Sequence, residues 1–263
     1  MSYSLQTYSK FYYGYRITAE PYNGYIDINE GSGEIGIELP VGSYTLNEFV
    51  DIIRSSLLAQ GTLDYTVTAN RATRIITITA DSAFSILSNT GSHVGSSAYS
   101  LMGFKTSSDY SSSTSHVGIL PSGSCFYPQF LLQSYVPSEH WQSKNEASVN
   151  VASSGTSVEV VNFGIAKFIQ ADIKFITDIP MDGVVIKNNQ SGVSDAVDFL
   201  KYITNKNYFE FIPDVNDPDV FEKVLLESTP DFNDGTGFKL KELYDKNLPG
   251  VYETGVMVFR VVD

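Results

Sequence analysis

Nucleophiles, bases and metal ligands are sparse in this 263-residue chain, which has three histidines (His93, His116, His140), one cysteine (Cys125) and 30 carboxylates. A Ser–His–Asp site needs a serine held on a sharp turn beside its base, and no G-x-S-x-G occurs. Two of the histidines lie in Ser/Gly-rich sequence, where a nearby serine carries no information. Cys125 with His140 is the other conceivable nucleophile–base pair. No local signature surrounds it, and a lone cysteine is more often a small apolar core residue. Zinc asks for several Cys/His ligands at short spacing, and this chain has no such cluster. Two acidic loops, DVNDPD at 214–219 and DFNDG at 231–235, offer the hard oxygen donors that calcium takes. Both lack a distal bidentate Glu, and Asp, Asn, Pro and Gly are ordinary turn residues, so both read as turns. Carboxylate pairs for glycoside cleavage are spatial, and 30 acids give chance pairs in any fold. The expectation is a non-enzymatic chain with no catalytic residue, no cofactor and no metal.

The abundant residue types suit contact instead. There are 17 Tyr and 16 Phe but one Trp, a balance that favours half-buried strands and interfaces. Phe11, Tyr12, Tyr13 and Tyr15 form an aromatic run that, if exposed, calls for a partner, and they are the candidate interaction residues. A net charge of −13 repels phosphate backbones, so no nucleic-acid partner is expected. A single cysteine allows no intrachain disulfide, which fits synthesis in a reducing cytoplasm. The first residues, MSYSLQTYSKFYYGYR, lack the apolar core of a signal peptide, and no run approaches a membrane span, so no membrane insertion is expected.

The elements that must carry these residues are mostly strands. Residues 11–18, 25–29 and 34–39 are β-prone, the last two with strict apolar–polar alternation. Thr45 and Glu48 fit a capping box, and Leu46, Phe49, Val50, Ile53, Leu57 and Leu58 follow at helical spacing, with Gly61 at the stop. Residues 65–68 and 74–79 read as a hairpin, 84–87 as a further strand and 96–101 as a short helix. Residues 106–118 are Ser-rich and read as a mobile loop or linker. Beyond them, strands are expected at 126–132, 157–163, 166–177, 208–212, 221–226 and 256–262, a helix at 194–203 and a second short helix at 238–246. The fold class is therefore mainly β with a few helices (α+β), in two modules, 1–118 and 119–263. The first is a sheet packed on one amphipathic helix, and the second a β-sandwich or barrel-like module.

The stretch LPVGSYTLNEF at 39–49, the helix, YTVT at 65–68, TRIITIT at 73–79, FSIL at 84–87 and AYSLMGF at 98–104 resembles a module that recurs in virion proteins of tailed bacteriophages. The match covers about residues 1–110. The second half resembles the distal tail and minor tail (baseplate) protein family through the order of its elements: FIQADIKFI at 168–176, DAVDFLKY at 195–202, YFEFIP at 208–213, VFEKVLLE at 220–227 and a terminal strand. No short motif carries this second likeness. The resemblance implies a virion structural protein made in the host bacterial cytoplasm. It would assemble with copies of itself in a ring at the distal tail or baseplate and join the tube to tip or fibre proteins. Other positions that it leaves open are a head–tail connector, the tail tube or the capsid surface. A carbohydrate-binding surface protein is the further alternative.

Overall fold

The computed structural model describes residues 9–128, 130–133, 142–151, 158–177, 196–243 and 249–262. The chain is mainly β, of the α+β class, and contains three α-helices among the described residues. It divides into two compact units. The first takes residues up to 127 and recruits 207–221 and the described part of 178–202 from the second half. The expected single cut at 118 is therefore corrected, because the first unit is not one contiguous segment.

Helix α1, Leu46–Gln60, forms as its capping signature dictates. The Glu48 amide donates to Thr45 Oγ1 at 3.4 Å and the Thr45 amide donates back to Glu48 Oε2 at 2.8 Å, which satisfies two amides that helix geometry leaves open. Leu46, Phe49, Ile53 and Leu57 are fully buried, each stabilising the unit by roughly 1.5–3 kcal/mol. Gly61 ends the helix in an extended rather than left-handed conformation, its amide bonded to Leu57 O at 2.8 Å. A Cβ there would stand 2.7 Å from Glu30 Oε1, so close approach is what requires glycine.

Against α1 lies an antiparallel sheet. Strands β3 (Tyr25–Asn29) and β4 (Glu34–Glu38) make one hairpin, and β6 (Tyr65–Asn70) and β7 (Ile75–Ile86) another, with β3 also pairing the end of β7. The FSIL segment is thus the end of β7 rather than a separate strand. Short strands β2 (Arg16–Ile17) and β5 (Gly42–Ser43) pair beside the entry to α1. Helix α2, Tyr99–Met102, ends on Gly103 at φ +76, where a Cβ would collide with Leu120 O. The Ser-rich linker is a further correction: Tyr110–Val117 is strand β8, paired antiparallel with β7. Its backbone bonds and the buried His116 hold it; small polar side chains only leave its outer surface wet.

A second group of strands completes the unit. Strand β1, Lys10–Tyr13, runs between β9 (Ser124–Phe126) and β13 (Phe209–Ile212), antiparallel to both. Phe199 of α3, Ala196–Thr204, stacks on Phe11 and Phe126 with centroids 4.7 and 5.0 Å away.

The second unit contains β10 (Phe130–Gln133), β11 (Gln142–Val151), β12 (Val158–Lys174), β14 (Glu222–Ser228) and β17 (Val256–Val261). Strand β12 pairs with β10, β11 and β17, and β17 with β14. Ile169, Leu226, Met257 and Phe259 are buried in it. The expected strand at 126–132 is two strands, and those at 157–163 and 166–177 merge into β12. Residues 241–242 form strand β15, which pairs with β16 (Tyr252–Glu253). The helix expected at 238–246 is therefore absent from its described part, and 244–248 lie outside the described residues.

Candidate functional site

The aromatic run does not form a docking surface within this chain. Phe11, Tyr12, Tyr13 and Tyr15 are all buried. The pairing of β1 on both edges leaves its rings inside: Phe11 against Phe199 and Phe211, Tyr13 against Phe199 and Tyr202, Tyr15 against Phe49. Tyr12 and Tyr15 keep their hydroxyls bonded, to Arg71 O and Ser122 O. The exposure expected of this run is corrected by its central place in the strand order.

His93 is the better-connected of the two described histidines. Its Nδ1 lies 2.7 Å from Asp27 Oδ1 and its amide donates to Asp27 Oδ2 at 2.8 Å. Ser92 Oγ also approaches Nδ1, at 3.1 Å, and the Ser92 amide donates to Glu34 Oε1. A catalytic relay needs serine on one ring nitrogen and carboxylate on the other. Here both meet the same nitrogen. Asp27, Glu34 and His93 bring three donor atoms within 4.8 Å of one another. Each carboxylate already accepts hydrogen bonds, and Tyr25 stacks on the imidazole at 4.0 Å, so the group fastens the 91–94 turn onto the β3–β4 hairpin. Glycine at 91 is needed there, since a Cβ would stand 2.3 Å from Asp27 Oδ2.

His116 is buried, its Nε2 donating to Phe84 O at 2.8 Å. Burial pulls its pKa below the ordinary imidazole value of 6.5, and the Phe84 carbonyl only partly opposes this. Cys125 is buried on β9, and burial pushes its thiol up, away from the nucleophilic thiolate. His140 lies outside the described residues. The acidic loops form side-chain-closed turns: the Asn216 amide donates to Asp214 Oδ1, and Thr236 donates to Asp234 Oδ1 through both amide and hydroxyl.

A buried charge pair escaped the sequence reading. Glu210 on β13 is fully buried and takes Arg71 of the β6–β7 turn as counter-ion. Its Oε1 also accepts the Leu46 amide at 2.8 Å, so a residue 164 positions away stabilises the first turn of α1. Arg71 is held in turn by Asn47 Oδ1, Pro218 O and the Phe221 ring. Burial pushes the Glu210 carboxyl up, while Arg71 and the helix amide pull it back. With donor and acceptor both consumed, the pair is a structural tie.

The surface is plainer. Asp51, Ile52, Arg54, Ser55 and Leu58 line a shallow depression, all on the outer side of α1. Val117, Ile119 and Leu120, at the end of β8, are 50%, 58% and 48% exposed. No family model matches the chain, and no curated protein matches it. What the described geometry defines is a mainly β, α+β protein in which the His93 and Arg71 clusters are closed by internal hydrogen bonds, while in the second unit Asp172 Oδ1, shielded from solvent beside the Lys174 ion pair, has no hydrogen-bond partner.

Proposed function

We propose that the chain is a non-enzymatic structural component of a tailed-phage particle, working by contact with copies of itself and with other virion proteins at the distal tail or baseplate. The observation that carries this reading is what the residues of the resembling module do. Pro40 accepts the Tyr44 hydroxyl, Thr45 caps α1, Gly103 ends α2 where no Cβ fits, and Phe84 is buried beneath β8. These four motif residues hold the module together. A signature made of folding residues suits a protein whose product is a surface. A second virion position, such as a connector or the tail tube, is served equally by that observation. The test is labelling of intact particles with an antibody against this chain, read by electron microscopy. Label at the tail tip supports the distal-tail reading, label elsewhere on the particle moves the chain to another position, and unlabelled particles overturn the virion reading.

A further inference from the structure

Strand β1 carries a buried charge that has no counter-ion. Lys10 is 2% exposed, and a charge taken out of water is ordinarily paired with its opposite. Among the described residues Lys10 makes no ion pair and no hydrogen bond. Its Nζ lies 4.6 Å from the centre of the Tyr12 ring. The same ring has a second cation over it, Arg74, whose Cζ is 5.2 Å from the centre.

Register explains why no acid reaches this lysine. Lys10 and Tyr12 flank Phe11 on the strand, so they share a face of β1. Lys10 stands opposite Ile212, and Tyr12 opposite Glu210 and Cys125. Glu210 is the one carboxylate that β1, β9 and β13 put on this face, and Arg71 and the Leu46 amide already hold it. Burial pulls the Lys10 ammonium below the ordinary lysine range, and Arg74 and Arg71 add to the pull. Cys125 opposes them only as a thiolate, which its own burial disfavours. A lysine that is desolvated beside other cations keeps a free lone pair on nitrogen and is a nucleophile.

We propose that Lys10 is a modification site whose side-chain nitrogen adds carbon dioxide to form a carbamate. One proton first leaves the ammonium. The nitrogen lone pair then forms a bond to carbon, one C=O electron pair moves onto its oxygen, and a further N–H proton passes to water. No oxidant or reductant takes part. Two features select this reagent. At 2% exposure only a small molecule reaches the amine, and carbon dioxide is small and uncharged, so its entry carries no desolvation cost of an ion. The product is an anion, so Arg74 and Arg71, which oppose the ammonium, attract the carbamate. Modification exchanges a buried cation without a counter-ion for a charge of the sign that its surroundings favour.

The test is carbon NMR of the full chain under isotope-labelled carbon dioxide at mildly alkaline pH. The folded protein should show a carbamate carbonyl signal, separate from bicarbonate, that disappears in urea. Exposed lysines such as Lys201 and Lys241 should give only weaker signals that urea retains. Lys10→Met deletes the amine together with its unpaired charge, so it should fold at least as stably as the wild type and lose the folded-state signal. The inference is overturned if the folded chain gives no carbamate signal beyond those kept in urea, or if that signal survives in Lys10→Met. Failure of Lys10→Met to fold overturns it as well, because the charge then has a structural role that this site does not explain.

Discussion

Each unit holds an arginine–carboxylate pair, and the two invert the usual expectation. In the second unit Arg260 grips Glu227 with a two-bond fork, Nε to Oε2 and Nη2 to Oε1, both 3.0 Å. In the first, Arg71 makes one close contact with Glu210 and a longer one of 3.4 Å. Geometry alone favours Arg260. Burial reverses the order: side-chain exposure is 27% and 38% for Arg260 and Glu227, against 10% and 0% for Arg71 and Glu210. Water and salt screen the exposed fork, whose worth is about 0–1 kcal/mol. The buried pair contributes little against an apolar substitute, yet breaking it strands a charge. The lesson is that the cost of losing a contact depends on what its surviving partner is left facing.

Arg71→Ala should therefore have the largest effect, a loss of about 3–5 kcal/mol in urea denaturation. Faster hydrogen exchange in the first turn of α1 should accompany it, since Glu210 also holds the Leu46 amide. A loss below about 1 kcal/mol breaks the comparison. Replacing both partners, Arg71→Met with Glu210→Gln, should restore much of that stability, because no charge of the pair then remains buried and the Gln carbonyl still accepts the Leu46 amide; a double variant as weak as the single one assigns the cost to lost packing.

Thr45→Ala should cost about 1 kcal/mol, showing how much of the start of α1 rests on its own cap rather than on Glu210. For His116 the sign follows from its lowered pKa. The unfolded chain binds the proton more tightly, so stability should fall as pH drops below about 6.5, the ordinary value, and His116→Gln should flatten that part of the profile. Smallest is Arg260→Ala, which should change stability by no more than about 1 kcal/mol and less at high salt.

Local chemistry was legible in the sequence and distant pairing was not. Thr45, Glu48 and the apolar spacing of α1 lie within a few turns of one another, so the helix and its buried face could be read directly. The hairpin of β6 and β7 was legible for the same reason. The Ser-rich segment at 110–117 shows no apolar alternation, because one of its faces is wet and only His116 is buried; its strand character comes from β7, which composition does not reveal. The aromatic run was seen, but its burial depends on β9 and β13, far along the chain. Arg71 and Glu210 stand 139 positions apart, and nothing in either neighbourhood announces the other.

Strand β1 has a consequence for how the protein is made. Ser9 bonds Pro213 O across 204 positions, and the β1–β13 ladder spans about the same distance. A ribosome adding about 5–20 residues per second needs roughly 10–40 s to travel that far. Throughout that interval one flank of a strand reading KFYY is without its mate, and its rings face whatever else the nascent chain or the cell presents. The β1–β13 ladder of the first unit can close only after residue 212 has been made, well into the second half of the sequence.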